Sequence, residues 1–582
     1  MAYGKRVGVH AFCLAGLLLA QTAWAQLPAA QLTALLPPGG KAGSSLQVTL
    51  QGADLDGAFA LFFSHPGITA VACTREPQPW EEGPQPVAGQ FVVSIAADVP
   101  PGIYEVRAAG KYGVSNPRLF MVGQEEELME AEPNSQPGEA QLISMGSTLN
   151  GQSAGGPDVD WYQLRLRQGE RVLIECWARR LDSRLEPLLT LHDAAGAELS
   201  HGVVGQSGDP LLDFTAPREG AYLLQVRDAI YANGAEYFYR LRVARGPHID
   251  FVLPPCGLAG TEAEVQVYGR CLPGGMPSGV TLEGIELERI SMRVALPLVS
   301  GVLVDGAGPL GGEAAGEDLV PLRLPGVAPG AWLGLATAPV ILEQEPNDAL
   351  PQAQEVSLPC ELAGQFAVRE DQDLVSFSAR AAEVLTVEVI SQRQGTMADP
   401  VLELYQVIER AGGAELRELQ TADDADPGRG NFGMFEVHDD PVLRFEIPAD
   451  GRYVAIVRDR YGDVRGDPRL VYRLAIRQAS PGAQVINADD PESLDRALIK
   501  GVDLVLLNRE LDMGFAGLRG VDLLRQLRPV HPDLKFMLVS NFAEAQAEAR
   551  SAGALEGFGK RELGTPRVVD LLRAALEDGQ AR

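Results

Sequence analysis

The sequence predicts a mainly β protein of tandem β-sandwich domains, followed by a C-terminal α/β domain. Short segments that alternate apolar and polar residues recur along most of the chain, as half-buried strands do. The 64 glycines and 41 prolines favour turns between short strands over long helices. In the last hundred or so residues, apolar runs alternate with amphipathic helical segments instead. A chain of 582 residues accommodates about four to five domains of roughly 100–200 residues each.

A duplicated segment organises the chain. It reads Glu-Ala-Glu-Pro-Asn-Ser at 130–135 and Glu-Gln-Glu-Pro-Asn-Asp at 343–348. A Gly-Gln pair and an Asp-x-Asp follow each copy at the same spacing, so the copies keep an offset of 213 over roughly 55 residues. Chance similarity does not stay in register for so long, and the duplication therefore indicates two copies of one domain.

A second pattern recurs ahead of each copy. The turn-forming segment 36–43 returns at 253–260, and a strand-like run follows it both times. The order is therefore module A, module B, module A, module B, and then a tail. The predicted boundaries are 26–124, 125–247, 248–340, 341–479 and 480–582.

The N-terminus has the pattern of an export signal. Lys5 and Arg6 precede an apolar run at 11–20, which is too short to span a bilayer as a settled helix. Small residues at Ala23 and Ala25 predict cleavage before Gln26, so 1–25 is a signal peptide. No later segment has 18 uncharged apolar residues, so we expect no transmembrane segment after signal cleavage and a location in the periplasm, at the cell surface or outside the cell.

The net charge of −29 constrains the partners. A polyanion repels phosphate backbones and anionic lipids, so we expect no nucleic-acid partner. The surplus of carboxylates suits hard divalent cations, above all Ca2+. The alternative is that the acidity only keeps an exported protein soluble.

Five cysteines remain after cleavage, so at least one thiol is unpaired within the chain. Cys256 and Cys271 are close in sequence, but a predicted strand at 263–269 separates them. A strand of that length holds its ends about 20 Å apart, whereas a disulfide needs Cα atoms within about 7 Å. We therefore expect no disulfide between them.

The A modules contain short alternating segments, at 46–50, 91–95, 104–107 and 118–122 in the first copy and at 265–269 in the second. Together with the shared Pro-Pro-x-Gly-x-Ala-Gly-like turn, these segments resemble bacterial immunoglobulin-like domains of the IPT/TIG type. The resemblance implies an Ig-like β-sandwich.

The B modules have the same kind of strand pattern, at 172–176, 188–191, 222–226 and 239–243 in the first copy. The pattern is typical of an antiparallel sandwich or jelly roll. The Glu-Pro-Asn segment, the run at 158–162, the Leu-Glu-Pro at 185–187 and the Tyr-Arg-Leu at 239–241 resemble the bacterial pre-peptidase C-terminal (PPC) domain. The second copy departs from it at 371–375, which lacks the aromatic pair.

Oxygen-bearing side chains are concentrated in the duplicated segment. Alternate residues of an extended segment point the same way, so Glu130, Glu132 and Asn134 are predicted to share one face, and Asp158 and Asp160 repeat this arrangement in a loop. Hard cations need six to eight oxygen ligands from such places. The alternative is a solvated linker followed by a turn.

The resemblance to PPC-like collagen-binding domains of bacterial collagenases implies two calcium sites. The first would comprise Glu130, Glu132, Asn134, Asp158 and Asp160, and the second Glu343, Glu345, Asn347, Asp348, Asp371 and Asp373. Ser135 stands where the second copy has Asp348, which predicts a weaker first site. We expect dissociation constants of about 10⁻⁴–10⁻³ M, as in other extracellular modules.

Two common catalytic motifs are missing from the sequence. It contains neither a His-Glu-x-x-His nor a P-loop pattern. Carboxylates two residues apart on a loop are better explained as ligands or turn residues than as a catalytic pair. The aromatic residues Trp161, Tyr162 and Trp177 lie in strand-like segments and are predicted to pack in the core. We therefore expect no enzymatic activity.

The tail, with buried-strand runs at 502–507 and 535–539 and helical segments at 520–527 and 567–576, resembles a truncated response-regulator receiver domain. By that resemblance Asn508 occupies the phosphoacceptor position, and Ser540 and Lys560 match two further positions. The amide of Asn508 is not a carboxylate nucleophile, so we expect no phosphorylation.

The acidic pair of a receiver has only a poor match in the tail. Asp489 and Asp490 mimic it, but they stand too close to Asn508, so the first strand and helix are predicted to be absent. Their loss would leave unpaired backbone and an apolar gap. A receiver-like tail behind an export signal is also a conflict of compartments, which a gene fusion or a misjoined reading frame would explain.

Taken together, these observations predict an exported, non-catalytic binding or scaffolding protein with calcium-stabilised PPC-like domains. Its partner would be an extracellular or envelope protein or a glycan. One alternative is an accessory subunit or remnant of a secreted peptidase, since PPC-like domains accompany proteases. Another is a signalling protein whose phosphorylation-incompetent receiver-like tail binds a partner.

Overall fold

A computed structural model describes most of the chain. The described residues are 28–80, 82–204, 208–298, 319–324, 331–410, 413–423, 440–478, 491, 494, 498, 502–509, 518–532, 534–559 and 566–577. The predicted signal peptide lies outside them. The described structure is mainly β, as the sequence predicts, and its sheets pack as tandem sandwiches.

The first sandwich consists of a four-stranded sheet, ordered β1-β3-β6-β5, and a facing sheet ordered β2-β9-β7-β4 with β8 on β7. Its buried core includes Val48, Phe91, Tyr104 and Phe120, all inward-facing residues of the predicted strands. The strands are β1 (Gln31–Leu36), β2 (Gly39–Lys41), β3 (Ser45–Ala53), β4 (Ala60–Phe63), β5 (Ile68–Arg75), β6 (Gln85–Ile95), β7 (Gly102–Gly110), β8 (Gly113–Val114) and β9 (Arg118–Gly123).

The second sandwich pairs a six-stranded sheet, β10-β12-β20-β14-β18-β17, with a five-stranded sheet, β11-β13-β19-β15-β16. Its strands are β10 (Glu126–Met129), β11 (Gln141–Leu142), β12 (Ser147–Gln152), β13 (Val159–Leu166), β14 (Arg171–Trp177), β15 (Pro187–Asp193), β16 (Glu198–His201), β17 (Val203–Val204), β18 (Pro210–Thr215), β19 (Gly220–Asp228) and β20 (Phe238–Ala244).

The third sandwich has sheets ordered β21-β23-β25-β24 and β22-β27-β26. Its strands are β21 (His248–Leu253), β22 (Cys256–Leu258), β23 (Glu262–Arg270), β24 (Met276–Leu282), β25 (Ile285–Ala295), β26 (Leu319–Leu322) and β27 (Ala331–Ala336). As expected, β23 separates Cys256 from Cys271, and all five described cysteines are free thiols.

The fourth sandwich repeats the strand order of the second, except that β17 has no counterpart among the described residues. Its sheets run β28-β30-β37-β32-β35 and β29-β31-β36-β33-β34. The strands are β28 (Val340–Leu342), β29 (Gln354–Glu355), β30 (Cys360–Gln365), β31 (Gln372–Ala379), β32 (Val384–Ile390), β33 (Pro400–Arg410), β34 (Gly413–Ala422), β35 (Val442–Glu446), β36 (Gly451–Asp459) and β37 (Val471–Gln478). The equal topology is what the duplicated sequence predicts.

The described part of the tail contains a parallel pair of strands, β38 (Leu504–Asn508) and β39 (Lys535–Val539). The helices whose bounds the structure describes are α1 (Gly520–Leu527), α2 (Ala543–Ser551) and α3 (Pro566–Glu577). A single parallel bridge joins Val539 to Phe558. Strands and helices alternate among these described residues, but the predicted receiver-like α/β domain is not supported. No helix among the described residues is both long and apolar enough to cross a membrane.

Apolar contacts join each A module to the B module that follows it. In the first pair, Met121 and Leu119 of β9 pack against Trp177 and Phe238 of the second sandwich. In the second pair, Phe251 and Leu287 pack against Val471. Burying such side chains removes apolar surface from water, so each A–B contact stabilises the pair.

Candidate metal sites

The first candidate site lies where the duplicated segment crosses the end of the second sandwich. Glu130 directly follows β10, and its amide still donates to the carbonyl of Asn150 in β12 at 2.9 Å. Four residues later, the carbonyl of Asn134 accepts from the Trp161 amide of β13 at 2.9 Å. These two backbone bonds hold the segment over both sheets. The segment is not a strand beyond Met129, yet its oxygen-bearing side chains converge.

Carboxylates from the segment and from β13 meet at this point. Ligand atoms of Glu130, Glu132 and Asp160 all lie within 4.8 Å of one another. The side-chain amide of Asn134 donates to Glu130 Oε1 at 3.0 Å, and the backbone amide of Asn134 donates to Glu132 Oε2 at 3.0 Å. Asp158 is buried beside them, and its Oδ2 accepts from the amide of Ala154 at 2.7 Å.

Two buried oxygens of this site lack a hydrogen-bond donor. Asn134 Oδ1 and Asp160 Oδ1 have no partner among the described residues. Their residues are 0% and 2% exposed, respectively. A buried acceptor without a partner costs about 1–3 kcal/mol, and native structures rarely leave one unsatisfied. Both oxygens can offer a lone pair to a cation, and both lie beside carboxylates. This is the environment that a hard cation requires.

The electrostatics point in the same direction. Burial, together with the negative charge of Glu130, raises the pKa of Asp160 to about 9. Burial and the nearby carboxylates of Glu130 and Asp158 also raise the pKa of Glu132. Like charges in one buried place disfavour ionisation of both groups. A bound divalent cation would reverse this repulsion.

Two tyrosine hydroxyls complete the first site. Tyr239 OH donates to Asp160 Oδ2 at 2.6 Å, and Tyr162 OH donates to Glu130 Oε1 at 2.7 Å. The oxygens of the two hydroxyls are 2.5 Å apart. The rings of Tyr162 and Tyr239 belong to the sandwich core, so the core positions the carboxylates.

The Gly-Gln pair has a structural reason in both copies. A Cβ at Gly151 would lie 2.4 Å from Cζ of Tyr239, and one at Gly364 would lie 2.5 Å from Cζ of Tyr472. Only glycine lets each tyrosine cross the strand to reach the acids. In the first copy the backbone amide of the following residue, Gln152, donates to Glu130 Oε2 at 2.9 Å.

The second site has the same kinds of side chain as the first, but they are joined by different hydrogen bonds. Ligand atoms of Glu345, Asp371 and Asp373 lie within 4.8 Å of one another. Here the Asn347 side-chain amide donates to Asp373 Oδ1 at 2.8 Å, and Tyr472 OH donates to Asp373 Oδ2 at 2.7 Å. Asn347 is 0% exposed, and its Oδ1 has no partner within the described ranges.

Burial also raises pKa values in the second site. The pKa of Glu343 rises to about 10, because of burial and the nearby Asp373. The pKa of Asp373 rises to about 7 and that of Asp371 to about 6, with burial as the main cause in both. The backbone amide of Gln365 donates to both oxygens of Glu343, at 3.0 and 3.1 Å.

Asp348 occupies a more peripheral position than the sequence suggested. It is exposed, and its Oδ1 accepts from the amide of Gln372 at 3.3 Å. It lies outside the group of Glu345, Asp371 and Asp373 that the structure brings within 4.8 Å. Asp348 still contributes negative charge to the site. The pKa of Asp371 is raised mainly by burial, and the charges of Glu345 and Asp348 raise it further.

The aromatic residues gave a mixed outcome. Tyr162 and Trp177 are buried, as predicted, with 0% and 1% exposure. The prediction was wrong for Trp161, which points away from the core and is partly exposed, because neighbours on a strand face opposite sides. Sequence reasoning missed the role of the Tyr162, Tyr239 and Tyr472 hydroxyls. The recurrence of Tyr239 and Tyr472 at equivalent places in the duplicated unit was the available signal.

The receiver-like positions are only partly described. Asn508 ends β38 and is exposed, whereas Ser540 directly follows β39 and is buried. Lys560 and the acidic pair Asp489 and Asp490 lie outside the described residues. The predicted loss of the first strand and helix falls largely on that same undescribed stretch.

No family model and no curated protein matches the chain. Solved structures do show likenesses of fold. The PPC domain of a Bacillus anthracis collagenase is 22% identical, with 20% of this chain and 99% of that chain covered and a TM-score of 0.16. SGBP-B of the Bacteroides ovatus mixed-linkage glucan utilization locus, solved with a mixed-linkage heptasaccharide, is 9% identical over 72% of each chain, with a TM-score of 0.12.

A third likeness is to the CBM22 tandem domain of Paenibacillus barcinonensis Xyn10C. It is 10% identical, with 76% of this chain and 98% of that chain covered and a TM-score of 0.13. The neighbours of this chain thus include a PPC domain and carbohydrate-binding β-sandwich modules at low sequence identity. None of these three likenesses shows a receiver fold for the tail.

Proposed function

We propose that this chain is an exported, non-catalytic binding protein whose two duplicated sandwiches are each braced by one Ca2+ ion. The single observation that carries the calcium proposal is an oxygen without a hydrogen-bond donor in both copies. Asn134 Oδ1 and Asn347 Oδ1 occupy equivalent positions, both residues are fully buried, and both oxygens lack a partner among the described residues. Independent retention of such a costly feature in both copies is best explained by a shared ligand.

The chemistry of the available atoms selects the class of that ligand. Each site presents carboxylate and amide oxygens and no nitrogen or sulfur donor among its converging residues. Oxygen-only sites suit Ca2+ and Mg2+, and Ca2+ accepts the irregular, protein-derived ligand sets found here more readily than Mg2+ does. In the first site the ion would be held by Glu132, Asn134, Asp158 and Asp160, with Glu130 completing the set.

The same reasoning assigns ligands in the fourth sandwich. Glu345, Asn347, Asp371 and Asp373 would hold the ion, with Glu343 behind them and Asp348 at the rim. When bound, the ion supplies positive charge that offsets the repulsion between buried carboxylates. Its role is to fasten the segment that crosses each sandwich end, and no bond-breaking step is assigned to it.

Isothermal titration of Ca2+ into the metal-stripped chain tests the proposal. We expect two binding events of about 10⁻⁴–10⁻³ M. A double replacement, Asn134→Leu with Asn347→Leu, preserves side-chain size but removes both unpartnered oxygens, and it should abolish the heat. Titration with Mg2+ provides the selectivity control. Absence of any Ca2+ heat at millimolar concentrations, in a chain whose circular dichroism shows folded β structure, would overturn the proposal.

A further inference from the structure

The two B modules differ in the outer face of their five-stranded sheets. In the second sandwich, β13-β19-β15 present three rows of side chains on the side opposite the core. One row is Trp161–Gln225–Thr190, and the neighbouring rows are Gln163–Leu223–His192 and Val159–Arg227–Leu188. Most of these residues are partly or fully exposed, and only Leu223 is buried, at 9%.

The equivalent face of the fourth sandwich is closed by its own chain. Leu374, Val454 and Ile456 stand at the positions of Trp161, Leu223 and Gln225, and they are 3%, 0% and 8% exposed. The apolar side chains that pack with them come from β33 and β34 of the same sheet and from the turn near residue 350, namely Val407, Tyr405, Leu416, Leu350 and Ala353.

The length of one hairpin explains this difference. β33 and β34 have 11 and 10 residues, whereas β15 and β16 have 7 and 4. The longer hairpin supplies Val407 and Leu416 to this packing. Among its described residues the second sandwich has no such extension, and the nine side chains of its face include polar groups and one large aromatic ring, Trp161.

We propose that this open face, centred on Trp161, binds a neutral polysaccharide. A sugar ring has an apolar C–H surface and a rim of hydroxyl groups that both donate and accept hydrogen bonds. Trp161 offers a flat apolar surface, and the amides of Gln163 and Gln225 with the hydroxyl of Thr190 offer donors and acceptors beside it.

Charge selects a neutral polymer. None of the nine side chains in the three rows is a carboxylate, although the whole chain carries −29. Their one permanent cation, Arg227, stacks its guanidinium 4.9 Å from the ring centroid of Tyr231 and donates to the carbonyl of Asp228 at 3.2 Å. An acidic polymer would meet repulsion from the chain as a whole, and the exposed cation nearest to these rows, Arg165, lies one row further along β13.

The composition also favours a glycan over a protein partner. The core of a protein–protein interface is built from a cluster of large apolar and aromatic side chains. Trp161 is the one large aromatic residue among the nine, and its ring meets that of His192 at a centroid distance of 5.2 Å. Both ring nitrogens of His192 are buried and have no hydrogen-bond partner among the described residues.

The inference rests on the binding role proposed above, but not on Ca2+. Affinity electrophoresis of the full exported chain through gels containing β-glucan, xylan or mannan provides the test. We expect retardation by at least one of these polymers, and Trp161→Ala should weaken it by about tenfold or more. Trp161→Phe should retain part of the effect. The matched control is Trp80→Ala, since Trp80 is 78% exposed in another sandwich, and it should leave retardation unchanged.

Four outcomes would overturn the inference. They are no retardation by any of the three polymers, equal retardation of Trp161→Ala and wild type, binding only to an acidic polymer such as alginate, and binding only to a protein such as gelatin. Equal thermal melting of Trp161→Ala and wild type excludes misfolding, since the residue lies outside the core. Repeating the gels with a chelator separates the two proposals, because failure of the calcium sites leaves a Trp161-dependent retardation in place.

Discussion

Removing one buried carboxylate should stabilise the metal-free chain. Burial and Glu130 raise the pKa of Asp160 to about 9, against an ordinary value of 3.8. At pH 7.5 the folded chain must therefore hold a proton that the unfolded chain has released. At 1.36 kcal/mol per pKa unit, this requirement lowers the free energy of unfolding by at most about 5 kcal/mol. Asp160→Asn keeps the shape and removes this cost.

The same substitution should remove the calcium response of its own sandwich. At 10 mM Ca2+ and a dissociation constant of about 10⁻⁴–10⁻³ M, binding stabilises a sandwich by about 1.4–2.7 kcal/mol. For a domain of this size that corresponds to a rise of about 5–10 °C in melting temperature. The fourth sandwich, with its own site, should keep its rise in Asp160→Asn and serve as an internal control.

Differential scanning calorimetry at pH 7.5, with chelator or with Ca2+, measures both effects. Glu198→Gln is the matched control, because it removes one carboxylate of the same sandwich from an exposed side chain. It should change neither the metal-free melting temperature nor the calcium response. The reasoning fails if metal-free Asp160→Asn melts below the wild type, or if Ca2+ raises its second-sandwich transition as much as before.

Further predictions concern pH, buried charge and packing. Without metal, the raised carboxylate pKa values mean that the folded chain binds more protons than the unfolded chain above about pH 4, so the free energy of unfolding should fall from pH 5 to pH 8, as urea melts would show. Arg473→Ala leaves Glu361, 1% exposed and paired with it at 2.6 Å, buried without its cation, and should cost about 3–5 kcal/mol in the same melts; an unchanged midpoint would contradict this. Trp177→Ala empties the apolar contact between the first two sandwiches and should cost about 3–5 kcal/mol, with faster proteolysis between them; equal cleavage rates would argue against that contact. Gly364→Ala places a Cβ 2.5 Å from Cζ of Tyr472 and should weaken the calcium heat of one site only.

Local sequence patterns predicted the strands well, because alternation has a direct structural cause. Segments such as 46–50 and 222–226 lie within β3 and β19, since one face of each strand is buried and the other is not. The duplication predicted that β10–β20 and β28–β37 share one topology, since equal patterns fold equally. The prediction for Trp161 was wrong because the sequence shows that this residue lies in a strand but not which face of the strand is buried. The neighbouring strands decide that.

Within the candidate sites, the sequence indicated the acidic residues but not the hydrogen bonds that join them to other side chains. The duplicated segment and the Asp-x-Asp pointed to Glu132, Asp160 and their counterparts, which do converge. The tyrosine hydroxyls escaped notice because Tyr239 is 109 residues from Glu130, its hydrogen-bond acceptor at 3.2 Å. Contacts over such separations follow from strand order, which no local pattern contains.

The amino-acid sequence by itself determined the modular order of this protein, the alternation of its strands and the recurrence of its acidic segments. Each of these depends on residues near one another in the chain. Only the tertiary structure decided that Asn134 Oδ1 and Asn347 Oδ1 lack donors among the described residues, and that the sheet face around Trp161 is open while its duplicate around Leu374 is buried. Those properties depend on which distant groups exclude water and which donors come within reach, and packing alone sets both.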